Sequence, residues 1–219
     1  MRKIADSYGA VTSGNLQVGF KWIGDEMDRR GPEKFVFGAE ESYGFLAGDH
    51  VRDKDGAVAA MLLSEYAARL KTEGKTLHEK LDDLFRQHGA FAETQFSVFM
   101  RGEAGMDDMK SLMASLRTTP PAEIAGMKVA RVRNYLDGTV TEPPGDPQPL
   151  DGPRGDMVIL DLDRAGNYVA VRPSGTEPKV KFYMFAHDPP EQVSDVAAAK
   201  QTLVDRMAAM QKDLEAVKP

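Results

Sequence analysis

The sequence predicts an α/β unit followed by an α+β unit, and two patterns of hydrophobicity lead to this prediction. In the first part of the chain, short apolar segments alternate with amphipathic helical segments, which is typical of a parallel α/β layer. In the second part, strand-like runs predominate and a long amphipathic segment follows them, which indicates an antiparallel sheet covered by helices on one side. The order changes near residues 89–91, so we assign one domain to residues 1–89 and another to residues 90–219.

The composition is ordinary for a folded protein. The chain has 219 residues, of which 42% are hydrophobic, and this is enough for two medium domains with a sizeable core. It contains no cysteine, which excludes disulfides and thiolate metal sites and fits a reducing, cytoplasmic compartment. A net charge of -6 does not favour a nucleic-acid partner or an anionic membrane surface, and no apolar run is long enough to span a bilayer.

The first unit begins within a helical pattern at residues 2–8, from which we expect the chain to be a fragment of a longer protein. A short strand at residues 10–12 and a helix at residues 20–30 follow. A Gly-Pro pair ends this helix, and the apolar residues 34–37 predict a buried strand.

The segment GAEESYG at residues 38–44 follows this predicted strand. Ligand sites in α/β sheets gather at the carboxyl ends of strands, and carboxylates accept hydrogen bonds from vicinal hydroxyls, so a polyol is one candidate ligand. Paired acids could also hold a metal or act as acid and base. Taken alone, these residues favour a plain surface turn over a ligand site.

The segment GDHVRDKDG at residues 48–56 is a charge run, a pattern that usually marks a solvated surface. His50 alone is a weak metal signal, because no second histidine lies at ligand spacing. Two helices follow. The first is predicted to bury Met61, Leu62, Tyr66 and Leu70, and a capping box at residues 76–79 begins the second, which ends at Gly89.

The second unit is predicted from periodicity and from turn residues. Strands are expected at residues 93–100, 127–134, 156–162 and 167–172, helices at 106–116 and 190–214, and a loop rich in Pro and Gly at 136–155. The acidic residues 161–163 do not form a calcium loop, because Ala165 lacks the needed oxygen and Arg172 stands at the twelfth position.

The segment RPSGTEPK at residues 172–179 lies between two alternating apolar runs, which predicts a loop between two strands. It offers a guanidinium, two hydroxyls and a glycine backbone N–H, with Lys179 and Lys181 close by. These groups suit a phosphate monoester, and the two prolines stiffen the loop. A solvated turn explains the same residues about equally well.

Two motifs that follow each other in the order of a known family favour ligand-binding loops over plain turns. The segment at residues 172–178 resembles the phosphate-binding loop of the last domain of the α-D-phosphohexomutases, the family of phosphoglucomutases and phosphomannomutases. Residues 38–44 resemble the family's sugar-binding loop, in the form of the phosphoglucomutase branch, and residues 48–56 continue that likeness. The resemblance covers essentially the whole chain and implies most of the third domain, a truncated three-layer parallel-sheet unit, and all of the fourth, a small sheet of four strands with flanking helices.

The resemblance also implies a role for individual residues. The family moves a phosphoryl group between the anomeric and C6 oxygens of a hexose, through a phosphoserine and a bisphosphorylated sugar. Lys54 matches a family position near the reacting phosphate, which implies a role in proton transfer or charge stabilisation. The predicted binding residues are Glu40 and Ser42 for the sugar hydroxyls, and Arg172, Ser174, Gly175 and Thr176 for the non-reacting phosphate.

Full-length members of the family use Mg²⁺ and glucose 1,6-bisphosphate, but nothing in this chain resembles their phosphoserine loop or their metal loop. We therefore expect no metal site, no cofactor bound by the fragment and no turnover by it alone, with the missing amino-terminal domains as its partner. A hexose phosphate, with glucose favoured, is the expected substrate, although Gln17 and Val18 stand where a threonine is common. A hinge is expected near residues 89–91. A non-catalytic phosphosugar-binding module and a structural domain with two plain turns are the alternatives.

Overall fold

The computed structural model describes residues 1–14, 16–40, 43–100, 102 and 104–217. These residues form two compact units, Met1–Asp83 and Leu84–Pro219. The predicted fold class, an α/β unit followed by an α+β unit, is confirmed. The division falls within a helix that spans Leu77–His88, whereas the sequence places the domain boundary after that helix.

Among its described residues, the first unit contains two short strands and four α-helices, the last of which crosses the division. They are α1 (Arg2–Ser7), α2 (Lys21–Arg30), β1 (Phe37–Glu40), β2 (Gly44–Ala47), α3 (Gly56–Thr72) and α4 (Leu77–His88), with a 3₁₀ turn at Pro32–Lys34. β1 and β2 pair antiparallel, with Glu40 opposite Gly44. A small core of Phe20, Met27 and Leu46 holds this hairpin against α2.

Four expectations for the first unit were wrong. Residues 10–12 form no strand, and the strand pairing in the described part of this unit is antiparallel rather than parallel. The strand begins at Phe37, because the preceding Pro32 starts a 3₁₀ turn, and Val36 is 73% exposed instead of buried. On α3, Leu70 is buried as predicted, but Met61, Leu62 and Tyr66 are exposed. Helical spacing identifies an apolar face but does not tell what covers it.

The capping box at the start of α4 is confirmed. The backbone N–H of Thr76 donates to Oε2 of Glu79 at 2.8 Å, and the N–H of Glu79 donates to Oγ1 of Thr76 at 3.2 Å. This reciprocal pair satisfies two backbone donors that the first helical turn leaves free.

In the part of the second unit that the structure describes, one antiparallel sheet packs with two α-helices, and a 3₁₀ turn spans Pro190–Gln192. Its elements are β3 (Ala90–Phe99), α5 (Gly105–Thr118), β4 (Glu123–Ile124), β5 (Met127–Asn134), β6 (Thr139–Thr141), β7 (Gln148–Pro149), β8 (Val158–Leu162), β9 (Tyr168–Pro173), β10 (Lys179–Asp188) and α6 (Val196–Glu215). The strand order is β3-β10-β9-β8-β5-β6-β7, and β4 pairs with β5. The sheet is therefore larger than the four strands that the resemblance implies.

Both helices of the second unit pack on one face of the sheet, as predicted. Side chains of α5 and α6 share a core with alternate residues of β8, β9 and β10, such as Leu160, Val169 and Phe182. The opposite face carries a smaller cluster in which the rings of Tyr168 and Phe185 stack at 4.4 Å. In the part of the chain that the structure describes, no helix is both long and apolar enough to cross a membrane.

Candidate functional site

The predicted phosphate loop is the connection between β9 and β10. The N–H of Ser174 donates to the carbonyl of Lys179 at 2.9 Å, which closes the hairpin directly after the last paired residues. Oγ of Ser174 accepts a long hydrogen bond from the N–H of Thr176, at 3.4 Å. Gly175, Thr176 and Glu177 are exposed, and a Cβ on Gly175 would meet no atom within 4 Å. The tip of the loop is therefore open to a ligand from solvent.

The base of this loop is fixed by the neighbouring edge strand. The carbonyl of Pro178 accepts a hydrogen bond from the N–H of Met100 at 2.8 Å. Gly105, the first residue of α5, lies so close that a Cβ there would be 2.4 Å from the carbonyl oxygen of Met100 and 3.3 Å from Cβ of Pro178. Only a glycine fits this approach, and it seats α5 beside the loop.

Two cations stand side by side next to the loop. Arg172 on β9 pairs directly with Lys181 on β10, so their side chains lie on the same face of the sheet. Both are half-buried, and neither makes a hydrogen bond or an ion pair with any other residue that the structure describes. Like charges directly opposite each other are unfavourable until an anion lies between them.

Lys179, unlike Arg172 and Lys181, has partners among the residues that the structure describes. Its Nζ forms an ion pair with Glu177 and lies 5.6 Å from the ring centroid of Phe99. The sequence shows two lysines near the loop but cannot tell them apart. The structure distinguishes them, because the register of β9 and β10 places Lys181 beside Arg172, whereas Lys179 forms an ion pair with Glu177.

Glu40 occupies the last position of β1, and its side chain is 13% exposed. The facing glycine makes room for it: a Cβ on Gly44 would lie 2.6 Å from Cγ of Glu40 and 2.8 Å from its Oε1. Ser42, the other predicted sugar contact, lies outside the described residues, so its role stays a prediction.

Lys54 lies beside Glu40 even though the two residues belong to different motifs. Its Nζ is 3.6 Å from Oε1 of Glu40 and 3.4 Å from Oδ1 of Asp53. The hydrogen bond to Asp53, its charge and the charge of Glu40 raise the pKa of Lys54 above its ordinary value. A lysine held in its protonated form is suited to stabilise negative charge or to donate a proton, and it is a poor base.

The segment that carries Lys54 is anchored at both of its ends. Nε of Arg52 donates to Asp28 of α2 at 2.6 Å, and a Cβ on Gly24 of α2 would be 3.0 Å from the carbonyl oxygen of Arg52. Asp55 caps α3, because its Oδ1 accepts the N–H groups of Ala57 and Val58.

The cap lowers the pKa of Asp55, chiefly through the N–H of Val58. His50 joins this arrangement, with Nε2 at 3.1 Å from Oδ2 of Asp55.

In the part of the chain that the structure describes, no group of three or more His, Cys, Asp or Glu residues could hold a metal ion. The described residues therefore do not fit a magnesium site, and we assign no step to that ion.

A further network ties the segment before α2 to that helix. The carboxylate of Glu26 accepts a hydrogen bond from Oγ of Ser13 at 2.7 Å and forms ion pairs with Arg29 and Arg30. The hydrogen bond from Ser13 and that from Arg30 lower the pKa of Glu26 from 4.5 to about 2. The segment before α2 is thus tied to the helix by a carboxylate that is charged at neutral pH.

The second unit also contains a groove of about 840 Å³ between the end of α5 and the loop around Pro143 and Pro144. Its walls include Arg117 and Asn134, and they contain none of the residues that the sequence predicts for the site. The groove is therefore separate from the phosphate loop.

An α/β unit with an acid and a lysine beside its hairpin, followed by an antiparallel unit with an open, cation-flanked loop, is the arrangement expected of the carboxy-terminal portion of a phosphohexomutase. Two family models match the chain. "Phosphoglucomutase/phosphomannomutase, alpha/beta/alpha domain III" matches residues 1–88, and "Phosphoglucomutase/phosphomannomutase, C-terminal domain" matches residues 114–202. The chain belongs to the phosphoglucomutase/phosphomannomutase family, in its phosphoglucomutase branch.

Individual relatives agree with this assignment. The phosphoglucomutase of Staphylococcus epidermidis is 36% identical over 186 residues, which cover 84% of this chain and 34% of the relative. That of Staphylococcus aureus strain MRSA252 is 36% identical over 179 residues, or 81% of this chain and 32% of the relative. The chain thus spans about a third of the length of the curated relatives it matches.

A solved structure shows the same fold. The open form of pp63/parafusin from Paramecium, an exocytosis-sensitive phosphoprotein described as a phosphoglucomutase, superimposes with a TM-score of 0.60. The match covers 93% of this chain and 34% of that one, at 19% sequence identity.

Proposed function

We propose that this chain is the carboxy-terminal portion of an enzyme that interconverts hexose 1-phosphate and hexose 6-phosphate, with glucose as the expected sugar. In this proposal the reaction passes through a phosphoserine and a bisphosphorylated sugar, both formed with domains that this chain does not supply. Phosphoryl transfer of this kind depends mainly on positioning the reactants and neutralising their charge. The chain contributes a phosphate site and a sugar site.

The observation that carries the proposal is the pair formed by Arg172 and Lys181. Two half-buried cations on adjacent strands, both without partners among the described residues, stand at the base of an open loop. A dianionic phosphate monoester accepts a guanidinium fork and an ammonium at once, and the hydroxyls of Ser174 and Thr176 with the N–H of Gly175 can fill its remaining oxygens. A plain turn would need neither cation.

In the first unit, Glu40 accepts hydrogen bonds from sugar hydroxyls, and we retain Ser42 as the second contact. Lys54 holds the carboxylate of Glu40 in place and supplies positive charge toward the reacting end. Its raised pKa favours charge stabilisation over action as a base.

The proposal predicts that the purified chain has no mutase turnover, because it lacks a nucleophile loop. The test is a coupled assay of glucose 1-phosphate conversion with added Mg²⁺ and glucose 1,6-bisphosphate. A robust magnesium-dependent rate from the chain alone would contradict the proposed division of labour.

A non-catalytic phosphosugar-binding module is the second candidate, since the binding residues alone would serve it. The complete reading frame that encodes this chain distinguishes the enzyme from the binding module. Serine and metal loops encoded upstream support the enzyme, and their absence from the complete frame supports the module. A cytoplasmic location stays a prediction for both.

A further inference from the structure

The sheet of the second unit has a long strand at one edge. β3 spans Ala90–Phe99 and pairs along its whole length with β10, without a bulge. Within the described residues, its other side has no strand partner. A row of backbone donors and acceptors on such an edge is a template for a further strand.

The usual protection of an edge strand is missing from β3. Proteins block exposed edges with lysine, proline, bulges or very short strands. β3 has ten residues, contains no Lys, Arg or Pro, and carries Glu93 as its one charge. Its exposed side chains include two large rings, Phe91 at 45% and Phe99 at 59% exposure.

We propose that β3 pairs with β3 of a second copy of this chain, antiparallel across a two-fold axis that passes through Gln95. With a two-fold axis perpendicular to the sheet, odd-numbered residues of one β3 lie opposite odd-numbered residues of the other. The helix-covered faces of the two sheets then lie on the same side of the joined sheet. With Gln95 opposite itself, Phe91 of one copy lies opposite Phe99 of the other, and this ring pair forms twice. Cross-strand aromatic pairs are among the stabilising pairs of antiparallel sheets.

Charge selects the same register. With Gln95 at the axis, Glu93 lies opposite Ser97 of the second copy. At a rise of about 3.4 Å per residue, the two Glu93 residues are then about 14 Å apart along the strands, beyond the screening length of about 10 Å at 0.1 M salt. An axis through Thr94 would bring them to about 7 Å and would place Phe91 opposite Ser97.

The interface is small, so the association is weak. One strand pair buries less than the roughly 1,200 Å² of a stable interface, and we expect a dissociation constant on the order of 100 μM. The other sheet edge, β7, spans only Gln148–Pro149, so the assembly closes at two copies.

The test uses the full chain in analytical ultracentrifugation from about 10 μM to about 1 mM, around the expected dissociation constant. Wild type is expected to change from monomer to dimer over this concentration range. Gln95→Glu and Gln95→Lys each place like charges opposite each other at the axis and should weaken association about tenfold. An equimolar mixture of the two variants should restore the dimer, because the charges are then opposite. Phe99→Ser should weaken it as well.

The matched controls are Gln87→Glu and Gln87→Lys, at an exposed position of α4. They should associate as wild type does. A wild type that stays monomeric throughout overturns the proposal. Association that is unaffected by both Gln95 variants, that the mixture fails to restore, that the Gln87 variants also abolish, or that continues beyond two copies overturns it too.

Discussion

Nζ of Lys54 lies 3.6 Å from Oε1 of Glu40, and the two residues come from separate loops of the first unit. Neither motif alone indicates this contact, since residues 38–44 have the pattern of a turn and residues 48–56 have that of a charged surface segment. The pair gives the site one acceptor and one cation close together, the two kinds of group that a phosphorylated polyol requires.

Glu40→Gln should weaken the binding of a sugar phosphate several-fold and leave the binding of inorganic phosphate unchanged. The amide keeps the size of the side chain but loses the charge that strengthens hydrogen bonds to hydroxyls and holds Lys54. Calorimetric titration with both ligands measures the difference. Glu65→Gln, on the exposed surface of α3, is the control and should bind both ligands as wild type does. Equal losses for the two ligands would contradict this role.

Gly44→Ala should displace Glu40 without unfolding the hairpin. The new Cβ would lie 2.6 Å from Cγ of Glu40, and because that side chain is flexible it should swing away rather than break the strand pair. We expect the same selective loss of sugar-phosphate binding as for Glu40→Gln, with an unchanged circular dichroism spectrum. Unimpaired binding would show that the position of Glu40 is unimportant.

Arg172→Ala and Lys181→Ala should each weaken phosphate binding, about tenfold or more, because each removes one charge-assisted contact of about 1.5–3 kcal/mol. Both variants are expected to fold, since like charges directly opposite in a sheet are unfavourable. Titration with inorganic phosphate at low salt measures the effect. Arg164→Ala, an exposed cation in another turn, should have none. If Lys181→Ala binds like wild type, the pairing with Arg172 has no part in the site.

Glu26 should make the first unit sensitive to acid. Its pKa falls from 4.5 to about 2 on folding, so its contribution is complete above about pH 4.5 and is lost as the pH drops toward 2. Glu26→Gln should cost about 1–3 kcal/mol at pH 7 and should flatten the pH dependence in that window. Urea unfolding followed by Trp22, the one tryptophan of the chain and a residue of α2, reports this directly. Parallel curves for wild type and variant would exclude the effect.

The sequence predicts most of the second unit because its signals are local. Period-two alternation marks the strand at residues 127–134, which the structure reproduces as β5. In the first unit, a capping box marks the start of α4 in the same local way. Strand register and the burial of a helix face by other elements depend on residues far apart in the chain. Lys181 is identified only by its pairing with Arg172, and the apolar face of α3 matches a core pattern although Met61 is 59% exposed.

The candidate site divides in the same way. The loop motifs locate Glu40, Lys54, Arg172 and residues 174–176, since motifs are contiguous in the chain. The distance between Glu40 and Lys54 depends on how α2, β1 and α3 fold around them, and no spacing in the sequence encodes it.

The most direct test of the account is an NMR titration of the chain with glucose 1-phosphate and glucose 6-phosphate, beside Arg172→Ala. A few charge-assisted hydrogen bonds should give an affinity on the order of millimolar, or about 4 kcal/mol. The account predicts saturating shifts at the amides of residues 174–176 and at Glu40, and their loss from the phosphate loop in the variant. An absence of shifts at residues 174–176 up to tens of millimolar, or shifts that Arg172→Ala leaves unchanged, would contradict it.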